Sequence, residues 1–515
     1  MSSKWDQRLG VWSIAEQYPD LPAIIESPSG ALSFGQLAAR AHQLVHAMRA
    51  QGVEAGDVVA IALPNDADIV AWQLAGSEAG WRYYTLGPSI PADELTDIFQ
   101  HSGAKAFIAH ASNAAESANA SGPDVRVSIG GSIRGFSTQV ELVRGQSDDK
   151  PENRQTGTQL VYTSGTTGKR KAIQHPLPTV GPDDAADAQK LFGRAFDFQP
   201  LSGAHLVSAG MHHGGCRVFY MGALNVGQGL VIMPKFDAQK TLEVIERRSI
   251  TTAYMVPTQF VRLLRLPDEV RKRYDLSSLH SVVHSAAPCP RDVKQQMMDW
   301  WGPVIWETYG GTEGAGTIAK PWRWLEKPGT VGRAIKGMQV HILDDDGNDV
   351  PANVPGTVYL ESTGESFSYY RDEKQTAEAY LGRRFTIGDI GYLDEDGYLF
   401  IVDRKKDMII SGGVNIYPAE IEAVLMSHPA ITDVAVLGLP DEEWGERVCA
   451  VIQPAPGVVP SEDLADELKS FVRQHLDSYK CPRSIVFREN LGRTDTGKVV
   501  KRQIREELSA GNRGA

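Results

Sequence analysis

Apolar residues along the chain repeat at a helical period, then at a strand period, and the two alternate. From Ser33, the run SFGQLAARAHQLVHAMRAQG sets Leu37, Ala41, Leu44 and Met48 on one helical face, with Ser33 and Gln36 spaced as a capping box. DVVAIALP then reads as a short apolar strand, and ADIVAWQLAGSEAG returns to helix spacing. TQLVYT, GLVIMP and HSVVHSA are further short apolar runs, each punctuated by Gly, Pro or Ser as strands are. Alternation of this kind predicts α/β layers, and it holds to about residue 403.

Beyond that point the texture changes. GYLDEDGYLFIVDR predicts a hairpin turning at Asp396-Gly397. The helix YPAEIEAVLMSHP and the strands ITDVAVLGLP and RVCAVIQP follow, and then SEDLADELKSFVRQHLD, with Leu464, Leu468, Phe471, Val472 and Leu476 on one face and acidic residues in its first turn. The expected fold class is α/β: a large N-terminal multi-sheet α/β domain over 1–403 and a small C-terminal α+β domain over 404–515. No repeat or low-complexity tract interrupts it.

Composition narrows the picture. A length of 515 residues exceeds the roughly 250–300 at which one core stops growing, so at least two domains are expected. Charged residues at 23% and a hydrophobic share of 42% are ordinary for a globular chain, which argues against disorder. The net charge of −12, without a long Lys/Arg run, argues against nucleic acid or an anionic membrane as the main ligand. Cys216, Cys289, Cys449 and Cys481 lie far apart with no CxxC or His/Cys metal spacing, and read as reduced, mostly buried thiols. No basic region followed by an apolar run opens the chain and no stretch of about 18 apolar residues occurs, so a soluble, cytoplasmic protein is expected.

The first candidate chemistry is LVYTSGTTGKRK at 160–171, a strand running into a loop rich in Ser, Thr and Gly with lysines at its end. Glycines let backbone N–H groups approach phosphate oxygens, hydroxyls add donors and lysine adds charge, so the loop reads as a phosphate cradle. A polar surface loop is the plainer alternative. A Walker A loop is excluded, because Gly165 and Gly168 are separated by two residues where that motif needs four before Gly-Lys.

In company the loop becomes specific. YTSGTTGKRK at 162–171, ETYGGTEG at 307–314, IGDIGYLDEDGYLFIVDRKKDMIISGGVNIYPAEIE at 387–422 and GRTDTGKVVKRQ at 492–503 resemble, in order and spacing, the core motifs of the adenylate-forming superfamily. That superfamily includes acyl- and aryl-CoA synthetases, luciferases and peptide-synthetase adenylation domains. The resemblance covers nearly the whole chain and implies an ATP-dependent acid–CoA ligase working through acyl-AMP, with Mg²⁺, ATP and CoA.

By that resemblance Thr163, Ser164, Gly165, Thr166, Thr167 and Gly168 would hold the β,γ-phosphates, assisted by Lys171 as a point charge. Tyr309 would stack on adenine, with Ser285, Ala286 and Ala287 along its edge and Glu307, Gly310 and Thr312 in the same nucleotide site. Asp389 and Arg404 would hold the ribose hydroxyls, a task suited to an acceptor and a forked donor. Glu313 and Thr166 would hold Mg²⁺, a hard ion that wants oxygen. Lys498 would stabilise the charge that grows on the phosphoryl oxygens as the carboxylate attacks and pyrophosphate leaves.

The small domain would then rotate about Lys406, withdrawing Lys498 and building a thiol tunnel faced by Gly412 and Gly413, with Trp444 stacked on the CoA adenine. His212 would line the acyl pocket beside the reacting carboxylate, as catalytic group or lining, together with Gly214 and Gly215. Read singly, each has a plainer account: Tyr309 and Trp444 as core aromatics, Asp389 as a turn residue, Glu313 and Lys498 as solvated charges, His212 as a structural histidine. Gly214 falls near the amine-binding aspartate of amino-acid-activating relatives and cannot pair with an ammonium. The small Ala209, Gly210, Gly214 and Gly215 point to a bulky long-chain, aromatic, steroid or terpenoid carboxylate.

Four positions depart from the family pattern. Arg170 and Ala172 replace a proline and a glycine of the signature loop, and Ala172 is expected to strain a φ > 0 position. Ile387 replaces a threonine, and Gly492 a proline. A rival reading follows: adenylation is slow or absent, and the enzyme converts acyl-AMP supplied by a separate adenylating enzyme. Carrier-protein loading and a luciferase-like oxidase share the motifs, but no carrier domain with its Asp-Ser attachment site is read in this sequence, so free CoA is the simpler expected acceptor. A non-catalytic nucleotide-binding module is the rival from another class, and Lys498, useful for chemistry and dispensable for binding, speaks against it.

Overall fold

The computed structural model describes residues 4–163, 171–364, 367–493 and 499–511. These pack as two units, one of Met1–Ala315, Lys320–Trp322 and Gly364–Ala377, the other of Gly316–Ala319, Arg323–Thr363 and Glu378–Ala515.

The first unit carries two sheets. In one, the strands Ile305–Gly311, Ser281–His284, Thr252–Met255, Ala204–Val207, Gly229–Ile232 and Pro22–Glu26 lie side by side and parallel, in that order. Ser281–His284, Thr252–Met255, Ala204–Val207 and Gly229–Ile232 are buried at every position, as parallel strands covered on both faces must be. In the other sheet, Arg82–Thr85, Val58–Ala62, Ala106–His110 and Val125–Ile129 are parallel, while Thr158–Thr163 turns back antiparallel into Lys171–Gln174. The helix Phe34–Ala50 starts where the spacing predicts: the Ser33 side chain accepts from the Gln36 N–H, the box is closed by the Gln36 side chain, and Leu37, Ala41, Leu44 and Met48 are buried.

The second unit has an antiparallel sheet that contains the expected hairpin, Asp389–Leu393 with Leu399–Arg404. Its other sheet is built on the long pair Ile431–Asp441 and Gly445–Pro454. Side chains alternate across that pair, as period-2 geometry requires. Val434, Val436, Val448 and Ile452 pack with Ile421, Leu425, Leu468 and Val472 from the two predicted helices, now seen as Pro418–Met426 and Glu462–His475. Ala435, Leu437, Leu439, Cys449 and Val451 face the opposite way, against Leu491 and Ile504. Asp403 ties the strand Leu399–Arg404 to the helix Pro418–Met426: one carboxylate oxygen accepts from the Arg404 N–H at 2.7 Å and the other from the Ala419 N–H, in the first turn of the helix, at 2.8 Å. All four cysteines are free thiols; Cys216, Cys449 and Cys481 are buried and Cys289 is partly exposed.

Candidate functional site

Ser164, Gly165, Thr166, Thr167, Gly168 and Arg170 of the signature loop, and Lys498, lie outside the described residues. What the fold does show is how the loop is anchored. Thr163 pairs with Lys171 across the antiparallel hairpin that holds both ends of the loop. Lys171 Nζ sits 5.6 Å from the centroid of the Tyr369 ring, and the Tyr369 hydroxyl donates to Glu313 Oε1 at 3.0 Å. Tyr369 comes from Ser368–Tyr369, which pairs with Lys171–Gln174. His175 Nε2 lies 3.1 Å from the Thr312 carbonyl oxygen. Thus the 162–171 and 307–314 motifs, far apart in sequence, are tied through Tyr369 and His175.

The expected strain at Ala172 is absent. Ala172 lies in the strand Lys171–Gln174 opposite Tyr162, has no positive φ, and is buried in a cluster with Tyr84, Phe99, Leu160 and Tyr370. Its methyl group fills core, so the replacement of glycine costs the backbone nothing.

On the nucleotide side, Ser285-Ala286-Ala287 leaves the C-terminal end of Ser281–His284, and Ala286 has φ 74°. A residue with a side chain held in the left-handed region costs about 1–3 kcal/mol and persists only where its surroundings over-determine it. In the neighbouring strand Ile305–Gly311, Tyr309 is partly exposed and so is no core aromatic, while Gly310 is exposed and Thr312 partly so. Glu307 is different. It is buried, with Oε2 accepting from Lys294 Nζ at 2.6 Å and His284 Nε2 3.5 Å from the same oxygen. Burial alone would raise its pKa, but the Lys294 ammonium and then His284 hold it down at about 2. Lys294, unremarked in the sequence, is itself fully buried.

On the acyl side, Gly214 and Gly215 open the helix Gly214–Asn225. A Cβ on Gly215 would come within 2.5 Å of the Tyr254 hydroxyl oxygen, and that hydroxyl lies 3.0 Å from Ser285 Oγ. Tyr254 is buried and stacked on Phe219, with ring centroids 4.9 Å apart. His212 is partly buried; its ring lies 3.9 Å from that of His213, and its carbonyl accepts from Thr85 Oγ1 at 3.0 Å. Gly87 passes close by, since a Cβ there would lie 3.5 Å from His212 Nε2.

In the second unit, Asp389 is buried in a strand rather than a turn, directly opposite Arg404, and Arg404 Nε lies 3.2 Å from Asp389 Oδ1. The threonine missing at Ile387 has a counterpart one residue earlier, where Thr386 Oγ1 accepts from the Gly388 N–H at 3.0 Å. Lys406 is exposed in the turn after Leu399–Arg404. Gly412 and Gly413, with φ 58° and 79°, close the two-residue hairpin between Ser411 and Val414, where two consecutive positive φ angles favour Gly-Gly. Trp444 is 38% exposed and therefore no core tryptophan; its carbonyl accepts from the Gly412 N–H at 2.8 Å and the Arg483 guanidinium lies 4.6 Å from its ring. Gly492 has φ 60°, a value closed to the proline it replaces, and its N–H is held by Asn490 Oδ1 at 2.9 Å.

Two family models match the chain, that of the AMP-binding enzymes over residues 11–370 and that of the AMP-binding enzyme C-terminal domain over 420–498. The chain belongs to the AMP-binding, adenylate-forming enzyme family. It is 32% identical to a feruloyl-CoA synthase of an Amycolatopsis species over 98% of this chain and 99% of that one. It is 30% identical to the long-chain-fatty-acid–CoA ligase FadD13 of Mycobacterium tuberculosis over 96% of each. The solved structure of the anthranilate CoA ligase AuaEII with anthranoyl-AMP superposes with a TM-score of 0.86 at 25% identity, covering 99% of this chain and 100% of that one. As a member of the acyl-CoA ligase branch, the enzyme is an AMP-forming acid–thiol ligase whose substrates are a carboxylate, ATP and CoA, with Mg²⁺. No described helix is long and apolar enough to cross a membrane.

Mg²⁺ suits the donors in place. Among the described residues no group of three or more His, Cys, Asp or Glu could hold a metal, and Mg²⁺ bound with a nucleotide commonly needs only one or two carboxylates beside phosphate and water. Glu313, whose Oε1 accepts from the Tyr369 hydroxyl, is the carboxylate that would hold it.

Proposed function

We propose that this ligase activates a bulky carboxylic acid, long-chain, aromatic, steroid or terpenoid, and passes it from AMP to CoA. The observation that carries this reading is the chain of contacts from Gly215 through the Tyr254 hydroxyl to Ser285 Oγ, which puts the glycine-opened helix against the segment assigned to adenine. A carboxylate and a nucleotide that must react need adjoining sites, and the missing side chain at 215 is what lets the Tyr254 hydroxyl reach the start of this helix.

In the proposed mechanism Tyr309 and the 285–287 backbone hold adenine, and Asp389 and Arg404 hold the ribose. Thr163, the 164–168 loop and Lys171 hold the phosphates. Glu313 and Thr166 would hold Mg²⁺, which would supply neutralisation of the phosphate charge. Lys498 directs its ammonium to the phosphoryl oxygens, stabilising charge present only in the transition state. His212 lines the pocket beside the acid's carboxylate. Rotation of residues 404–515 about Lys406, after the domain boundary expected at Asp403 and Arg404, would then bring Gly412, Gly413 and Trp444 to the thiol substrate. Ala172 in relaxed strand geometry removes one ground for an enzyme limited to thioesterification.

The test separates the two half-reactions. Bulky acids with Mg-ATP and CoA are assayed for pyrophosphate and acyl-CoA, in parallel with preformed acyl-AMPs and CoA. Lys498→Ala is expected to slow the first reaction about 10²–10³-fold and spare the second. If no bulky acid is activated while small acids are, the substrate reading fails; if only acyl-AMPs react, the adenylation step belongs to another enzyme.

A further inference from the structure

The resemblance puts Glu307 in the nucleotide site, yet the residue is buried in a pair with Lys294, which has no assigned contact with substrate, and for stability alone that pair is an odd choice. Taking two charges out of water costs several kcal/mol per ion, and apolar pairs of similar volume often do as well or better. Its location offers a reason. Glu307 and His284 are directly paired neighbours on parallel strands, and each stands at the root of a nucleotide-assigned segment. His284 immediately precedes Ser285-Ala286-Ala287, with Ala286 in the left-handed region, and Glu307 lies two residues before Tyr309 on the same strand. Lys294 reaches Glu307 from the helix Arg291–Trp301, on the far side of the 285–287 segment in sequence. The His284 ring is in turn wedged against Phe260, centroids 5.4 Å apart at 73°. One carboxylate therefore ties the strand end before the strained alanine, the strand carrying Tyr309 and the helix that follows.

We infer that Lys294 is a positioning residue for the nucleotide, fixing the 285–287 segment and Tyr309 in their binding arrangement by locking Glu307 beneath both. Glu307 then acts from below rather than by touching ATP. This rests on the proposed assignment of adenine to Tyr309 and 285–287, and the test separates the two.

AMP binding is measured by calorimetry on the whole chain, which needs no knowledge of the acid. The probe variant is Lys294→Met with Glu307→Met, which removes both charges and keeps an apolar, similarly sized interior. The expected result is a cooperatively unfolding protein of full binding stoichiometry whose Kd for AMP is at least 10-fold weaker. In turnover, the KM for ATP should rise while kcat at saturating ATP and the KM for CoA hold within about twofold. A merely structural pair would lower stoichiometry and stability but leave Kd unmoved, and an AMP Kd within threefold of the parent in the folded variant overturns the inference. Should the double variant not fold, Glu307→Gln, which keeps the shape and weakens the tie, is read by the same criterion with a three- to tenfold weaker Kd expected. A parent chain that does not bind AMP overturns the adenine assignment itself, and the inference with it.

Discussion

Gly215→Ala is the perturbation whose outcome the coordinates fix most tightly, because its neighbour Gly214 is a built-in control. Both glycines open the same helix and neither has positive φ, so alanine is conformationally allowed at each and helix propensity favours it by up to about 1 kcal/mol. The surroundings differ. At 214 the new Cβ would meet Val161 Cγ1 at 3.5 Å, an ordinary contact, whereas at 215 it would lie 2.5 Å from the Tyr254 oxygen and 3.2 Å from its Cζ. Tyr254 cannot swing aside without losing its stack on Phe219 and its hydrogen-bonding distance to Ser285. Overpacking of this kind costs about 1–3 kcal/mol, and the lost hydrogen bond about 1 kcal/mol more. Propensity is common to both substitutions and cancels, so Gly215→Ala should be about 2–4 kcal/mol less stable than Gly214→Ala by urea unfolding at equal m-value. Its kcat/KM for the best acid should fall at least tenfold, since Ser285 belongs to the segment proposed to hold the nucleotide. Equal unfolding midpoints and equal acid kinetics for the two variants would refute the contact chain on which the substrate reading stands.

Asp389→Ala should weaken ATP use by about 10–150-fold, the worth of a charge-assisted hydrogen bond, with little loss of fold because the partly exposed Arg404 is left to solvent; ATP titration of initial rates checks it. Gly412→Ala places a Cβ 2.6 Å from Trp444 Cε3 at a position of positive φ, so the KM for CoA should rise about tenfold while pyrophosphate release holds. Gly413→Ala meets open space and should suffer from backbone strain alone, giving the smaller effect in the same assay. Burial pushes the imidazole of His42 down to about 4 and that of His205 to about 3. Their neutral forms therefore support the fold fully above about pH 6.5, and that support is lost as pH falls, because only the unfolded chain takes up the protons. Between pH 7 and 5 each should cost about 2 kcal/mol, and His205→Gln should flatten urea stability against pH by that amount.

Patterns that depend on one segment were legible in the sequence; arrangements that depend on two were not. The capping box at Ser33 and Gln36 and the Asp396-Gly397 hairpin are decided within a few residues, and both form as spacing dictates. Ala172 was misjudged for the complementary reason. Read within its loop motif it stands where glycine's freedom is expected, but strand pairing with Thr158–Thr163 and a core of Tyr84, Phe99 and Tyr370 put it in extended backbone, where a methyl group is an asset. Tyr369 escaped notice although a signal existed. Tyr370 is buried with its hydroxyl on the Ser102 carbonyl, so the adjacent tyrosine must face the other way, and that way lies Glu313.

Lys294 and Glu307 gave no such signal, for lysine and glutamate thirteen residues apart, on a helix and a strand, share no period. Only the packing of Arg291–Trp301 against its sheet turns them into a buried pair. Motif membership assigns Glu307 to the nucleotide site without saying how it serves there; its burial against Lys294, two residues before Tyr309, is what the inferred positioning role rests on. In this motif Tyr309 is partly exposed and Gly310 exposed while Glu307 is buried, and the proposed division of labour within its eight residues follows that burial.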